Sequence, residues 1–328
     1  MRPGWTGEAG MTRYVLRRLP SAVLVVLAAS VVIFSVIRLV PGDPVATLAG
    51  PDATPEARDA IRAELGLDEP VVVQYLQWLA AMVRLDPGQS YLVGGDISRL
   101  VREGLVNTLV LAGGALLLAV VLTLVAAVGG VLAHRRGVDT LLNGVNTAAV
   151  ALPTFVTGPL LVLLFAVLLP VLPAGGTPPE GFWARPDISV QFLLMPALCL
   201  ALPAAAALTR FLSEALRTEL EQPYATTARA LGVGRRRLVL TQALPNALPA
   251  AVTVLGVQVG TLLGGAVLVE AIFAWPGLGM LAEQAISSRD YPLVQTLLLL
   301  SVAVFVATQL LTDVVQALLD PRIRLGAS

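Results

Sequence analysis

Lysine is absent from this chain of 328 residues, and all 22 basic positions are arginine. A Walker A phosphate loop needs a lysine to reach the terminal phosphates of a nucleotide, so none is encoded here. Schiff-base and lysine-nucleophile chemistry fall for the same reason. Cysteine and histidine occur once each, as Cys199 and His134. That excludes an internal disulfide, a Cys/His zinc site and paired-histidine chemistry. Cys199 stands in an apolar run, where a buried, inert thiol is expected. No nucleophile, base and orienting group can be assembled around one histidine, so the chain reads as a non-enzyme. Charge is also scarce, at 13% of residues against about 25% in soluble domains. The formal net charge is zero, which leaves no basic excess for nucleic-acid phosphates.

What the chain has instead is apolar length: 56% hydrophobic residues and a mean hydropathy of +0.80. A helix needs about 20 apolar residues to cross a hydrocarbon core of about 30 Å. Six stretches qualify, near residues 20–40, 106–133, 141–169, 191–209, 247–270 and 293–318. The third and fourth contain Pro153, Pro159, Pro196 and Pro203, which predicts kinks where neighbouring helices re-satisfy freed backbone groups. The fourth is short, so it is tilted little or begins before Gln191.

Arginine placement predicts the orientation. Arg2, Arg13, Arg17 and Arg18 precede the first span, and Arg135 and Arg136 follow the second. Arg210, Arg217, Arg229, Arg235, Arg236 and Arg237 lie between the fourth and fifth, with Arg322 and Arg324 in the tail. All fall on one side if six spans alternate, and the positive-inside rule makes that side cytoplasmic, with both termini inside. The first span follows Arg17-Arg18 as a signal peptide would. Its long core and lack of a small-x-small cleavage pattern favour an uncleaved anchor. Met11 is the expected start, with residues 1–10 a disordered or non-native extension.

On the other side lies the long segment 41–104. Thr54-Pro55-Glu56 reads as an N-cap with proline in the first turn, and Gly66 as that helix's stop. Val71–Val83 reads as a second, strongly apolar helix resting on the outer ends of the bundle. A segment of this size is near the lower limit for an independent core, so a small helical cap is expected.

The segment Tyr224–Pro249 is basic and glycine-punctuated, and it separates two apolar runs. Ala225, Ala228 and Leu231 form one narrow stripe of mostly small residues, suited to a partner's groove. Gly232 suits the left-handed cap of a short helix, Arg235–Arg237 open a second, and Pro245 and Pro249 would loosen its entry. An ordinary basic loop obeying the positive-inside rule is the plain alternative. Intramembrane charge bears on the energy source, because ion-coupled transporters place Asp, Glu or His within spans. Arg38, Glu270 and Asp313 fall near predicted span ends, and His134 sits beside two arginines. No ion site is evident, so the energy is expected from elsewhere.

Aligned on Gly232, Tyr224–Pro249 resembles the loop by which permease subunits of bacterial ABC importers dock on their ATPase. Ala228, Gly232, Leu244 and Pro245 match that loop's pattern, while Thr226, Thr227 and Gln242 depart from it. Other segments carry the resemblance along the chain: Val40-Pro41-Gly42-Asp43-Pro44, Leu85-Asp86-Pro87-Gly88-Gln89-Ser90, Phe273-Ala274-Trp275-Pro276-Gly277-Leu278-Gly279, Arg289-Asp290-Tyr291-Pro292-Leu293-Val294 and Leu319-Asp320-Pro321-Arg322-Ile323-Arg324. Singly each admits a plain reading: a turn, an interfacial Trp275 anchor, a helix stop. In this order they resemble the dipeptide/oligopeptide/nickel permease family, in particular its B-type subunit.

The resemblance implies an all-α, polytopic type I importer permease in the bacterial inner membrane. Its parts would be a cytoplasmic segment 1–19, a first transmembrane helix 20–40 and an external helical segment 41–104. A five-helix core 105–320 would carry the ATPase-docking loop at 210–249, followed by a tail, 321–328. Docking would involve Tyr224, Ala225, Thr226, Thr227, Ala228, Arg229, Gly232, Leu244 and Pro245. Partners would be a second homologous permease, two cytoplasmic ATPases and an external solute-binding protein, besides membrane lipid. ATP and Mg would be bound by the ATPases, with no catalytic, cofactor or metal site in this chain. The solute would be a peptide; nickel, glutathione or another non-peptide solute, or an ion-coupled secondary transporter, are the alternatives.

Overall fold

A chain crossing lipid must satisfy each backbone donor within its own segment, and helix is accordingly the rule here. The computed structural model describes residues 7–39, 44–50, 53–64, 66–133, 135–178, 182 and 184–319. The motif at 40–43, His134 and the tail from 320 lie outside the described residues. The helices run α1 (Gly7–Leu39), α2 (Pro44–Ala49), α3 (Pro55–Glu64), α4 (Val71–Val83), α5 (Ile97–Ala133), α6 (Arg136–Ala151) and α7 (Thr154–Val162). They continue as α8 (Pro186–Glu221), α9 (Pro223–Ala230), α10 (Arg235–Leu238), α11 (Leu244–Ile272), α12 (Leu278–Ser288) and α13 (Tyr291–Leu319). π-Helical turns at Leu163–Leu168 and Val239–Ala243 extend α7 and join α10 to α11.

Five helices among the described residues are long and apolar enough to cross a membrane, or six if α6 and α7 form one span. That pair shows the kink expected in the third span, where the two limbs meet at 109°. The cause is local. A residue before proline is pushed out of the helical region, and Leu152 is extended at ψ 117 ahead of Pro153 at ψ 149. Pro196 and Pro203 have no such effect, since both lie inside an unbroken α8. The fourth span is therefore not short: α8 begins before Gln191 and runs to Glu221.

The described residues fall into two compact units, one within Met1–Val106 and Gly277–Leu310, the other within Asn107–Pro276 and Leu311–Ser328. In the first, the Ala57 amide donates to Thr54 Oγ1 at 3.3 Å and Gly66 has φ +63, so α3 starts and stops at its expected signals. α4 packs on α1 through Phe34, Tyr75 and Trp78. Ile97, Leu281, Ala285, Leu293 and Leu297 form a buried cluster.

Beside that cluster Asp290 is almost wholly buried. Its Oδ2 accepts from Ser90 Oγ at 2.6 Å and from the amides of Leu92 and Val93 at 2.8 and 3.2 Å. Its Oδ1 accepts from the Leu293 amide at 3.3 Å. Two of the sequence motifs, near 85–90 and 289–294, are thus joined by one carboxylate. Arg289 ends α12 at φ +60, a left-handed setting that costs a side-chain-bearing residue about 1–2 kcal/mol. Bonds from the Arg289 amide to Ile286 and from the Asp290 amide to Ala285 hold it there.

In the second unit α8 is central, with 61% of its apolar window buried. α5, α7 and α11 pack on it through Leu111, Ala115, Ala119, Leu200, Ala204, Leu262 and Ala266. Trp275 does not sit at an interface as a lipid anchor. It is fully buried, its indole N–H donates to the Asn107 carbonyl at 2.9 Å, and Asn107 Nδ2 donates to the Pro276 carbonyl at 2.9 Å. One turn earlier Glu270 is also wholly buried and accepts from Thr108 Oγ1 at 2.6 Å. The apolar clusters therefore close around a small polar latch.

Candidate docking site

The segment between α8 and α11 builds a helix, a turn and a second helix. α9 opens with Pro223 in its first turn, where proline's missing N–H is no loss. It closes in a double-bonded cap: the Val233 amide donates to the Ala228 carbonyl at 3.0 Å, and the Gly232 amide to Arg229 at 3.0 Å. That pattern needs a left-handed residue, and Gly232 supplies φ +80. From Arg235 the chain is helical through α10, the π turn and α11. Pro245 occupies the first turn of α11 and Pro249 lies inside it, and the irregularity at this entry is the π turn that ends two residues before Pro245.

The small-residue stripe faces inward, contrary to the expectation that it enters a partner. Ala225 is fully buried and Ala228 nearly so, against Leu212, Leu216, Leu220, Leu238 and Val239. Small side chains let α9 approach the end of α8 closely. The outward face consists of Thr226, Thr227 and Ala230, with Leu231 79% exposed at the tip. Thr227 Oγ1 is turned back onto the Pro223 carbonyl at 3.0 Å. Leu244 is half-buried in the same cluster and Pro245 is exposed.

Two arginines tie this loop to the helix ends around it. Arg229 Nη2 donates to the Leu220 carbonyl in the last turn of α8. Arg235 donates through Nε and Nη2 to the Val131 carbonyl near the end of α5, at 3.2 and 2.8 Å. Helix C-termini carry unsatisfied carbonyls and partial negative charge, so a guanidinium is well matched there. The sequence reading missed Arg235 as a structural tie, because six arginines between the same two spans offer no local signal for which reaches a carbonyl.

Tyr224 Oη donates to Glu219 Oε2 at 2.8 Å. Burial, and then the bond and charge of Glu219, hold its phenol above the usual value, with a bond to Asn246 acting the other way. The phenol therefore stays a neutral donor across physiological pH. Next to α9 opens a cleft of about 690 Å³ lined by Asp139, Arg217, Glu221, Thr226, Arg229 and Arg235. Arg217 pairs with Asp139 across it at 3.4 Å. Both side chains are about half exposed, so the pair adds at most about 1 kcal/mol. The exposed tip of α9 at Leu231 thus lies beside a cleft of mixed charge.

Comparison with known proteins agrees with this architecture. Residues 119–325 match the family described as binding-protein-dependent transport system inner membrane component. Residues 11–93 match the N-terminal region described for the same membrane components. A Brucella abortus protein provisionally named a peptide transport system permease is 38% identical over 318 residues, covering 96% of this chain and 99% of the relative. A Sinorhizobium fredii protein provisionally named a peptide ABC transporter permease is 35% identical over 313 residues, covering 95% and 99%. A glutathione transport system permease of Escherichia coli is 32% identical over 314 residues, covering 96% and 99%. With mostly helical described residues, five or six helices long and apolar enough to cross a membrane and end-to-end coverage of these relatives, the chain belongs to the inner-membrane permease components of binding-protein-dependent ABC importers, in the peptide-transport family.

Proposed function

We propose that this permease imports peptides, driven by separate ATPase subunits that grip the α9 tip. The observation that carries the reading is the outward face of α9, Thr226, Thr227, Ala230 and Leu231, held rigid by the Gly232 cap. With six spans and basic loops inside, that face lies in the cytoplasm, where an ATPase would meet it. ATP binding would draw two ATPases together and move each α9 as a lever. A second, homologous permease would complete the path, and an external binding protein would deliver the solute. The pathway would alternate between inward- and outward-open states, each ligand favouring the state it binds better.

Leu231→Asp tests the docking assignment. The expected result is normal abundance in the membrane with loss of the co-purifying ATPase and of uptake. Unchanged co-purification overturns it. A second reading of the solute, glutathione, is favoured by the name of the E. coli relative. Identifying the solute retained by the purified binding protein decides between them.

A further inference from the structure

We propose that α4 is embedded in lipid, with its Val72, Leu76, Ala80 and Val83 face among acyl chains, rather than resting as a cap above the membrane. The proposal rests on the depth at which α4 meets α1. The spanning part of α1 is Arg18–Leu39. Tyr75 of α4 shares a hydrogen bond of 2.8 Å with Ser30 Oγ. Ser30 lies about nine residues before Leu39, which is about 13 Å down the helix axis. Half of a hydrocarbon core is about 15 Å. Phe34, about a turn nearer the end, packs on both Tyr75 and Trp78 with ring centroids at 5.3 and 5.7 Å. Arg38 donates to Gln74 at the end of the seam. α4 is therefore fastened below the end of α1, not beyond it.

The sorting of side chains agrees. The polar groups of the seam are turned inward: Ser30 is wholly buried and bonded to Tyr75 and to the Leu27 carbonyl. Outward, Val72, Leu76 and Val83 are 68%, 57% and 78% exposed. With Ala80 they recur at helical spacing on one face. No acidic or basic residue occurs between Val71 and Val83. Polar inside and aliphatic outside is the reverse of a water-facing helix, and it fits a helix buried several ångströms into the acyl boundary. α1 likewise exposes aliphatic side chains, with Val31, Val32 and Val36 49%, 59% and 51% exposed. Gln77 and Arg84 border the stripe on one flank, where their polar ends reach headgroups. The occupant is a lipid tail, and the claim holds whichever side of the membrane Leu39 faces.

The test uses nitroxide labels at Val72→Cys, Leu76→Cys and Val83→Cys in a Cys199→Ala chain. The full chain is isolated with its co-purifying partners and reconstituted into phosphatidylethanolamine/phosphatidylglycerol vesicles. Accessibility to oxygen and to a water-soluble nickel chelate is then compared with labels at Val32 on α1 and Glu56 on α3. The expected oxygen-to-nickel ratio matches Val32 and exceeds Glu56 several-fold. A ratio like that of Glu56 overturns the proposal in favour of a solvated cap. Low accessibility to both reagents overturns it in favour of a protein partner on this face. An acyl-chain diazirine lipid, photolysed with the unsubstituted chain, should label the Val71–Val83 peptide, and absence of that label is equally fatal.

Discussion

Two residues carry more of this structure than their size suggests, and each can be tested alone. Gly232 sits at φ +80 with open space where a Cβ would stand, so a substitution there is strained by backbone conformation and not by crowding. Gly232→Val should leave the protein in the membrane and impair uptake. Gly232→Asn should retain most uptake, since asparagine tolerates the left-handed region. Uptake normalised to membrane abundance checks both. Asp290 is the second. It gathers one hydroxyl and three backbone amides, and removing an acceptor leaves buried donors at about 1–3 kcal/mol each. Asp290→Ala should raise hydrogen exchange and protease cleavage across residues 85–96, with Asp290→Asn intermediate. Protection of that stretch equal to the parent would show the carboxylate to be dispensable.

At the scale of elements, what could be read from sequence was what is encoded locally. Apolar runs of about 20 residues, Thr54-Pro55, Gly66 and Gly232 are each sufficient signals in themselves, and helices start and stop at them. The break at Leu152–Pro153 could not be separated from the intact prolines of α8, because it depends on what surrounds each site. Nor could the face of α9 be assigned: Ala225 and Ala228 are small enough to face a partner or their own core. The ties of Arg229 and Arg235, and the bonds of Asp290 to residues some 200 positions away, join places with no sequence proximity at all. Packing between elements also exposes one position that composition hides. Gly175 lies so close to Phe273 that a Cβ would overlap its carbonyl, while the neighbouring Gly176 amide donates to that carbonyl at 2.7 Å. Gly175→Ala should force the strand of chain off Phe273, at about 1–3 kcal/mol for overpacking. A lower midpoint of thermal aggregation in detergent would report it, and an unchanged midpoint would refute the contact.

For the whole molecule the energy source is the decisive property. If transport is driven by separate ATPases, uptake should vanish when their phosphate-loop lysine is replaced and should survive an uncoupler that collapses the proton gradient. The opposite pattern would make this chain an ion-coupled carrier, with buried Glu270 the first residue to examine. The bend in the third span also bears on how that span is held in lipid. α6 has 16 residues and α7 has 9 before its six-residue π turn, and each limb falls short of the about 20 that a lone spanning helix needs. Neither limb alone reaches across the hydrocarbon, and both pack on α8, so the third span is held as part of a group of helices and not as a freestanding one.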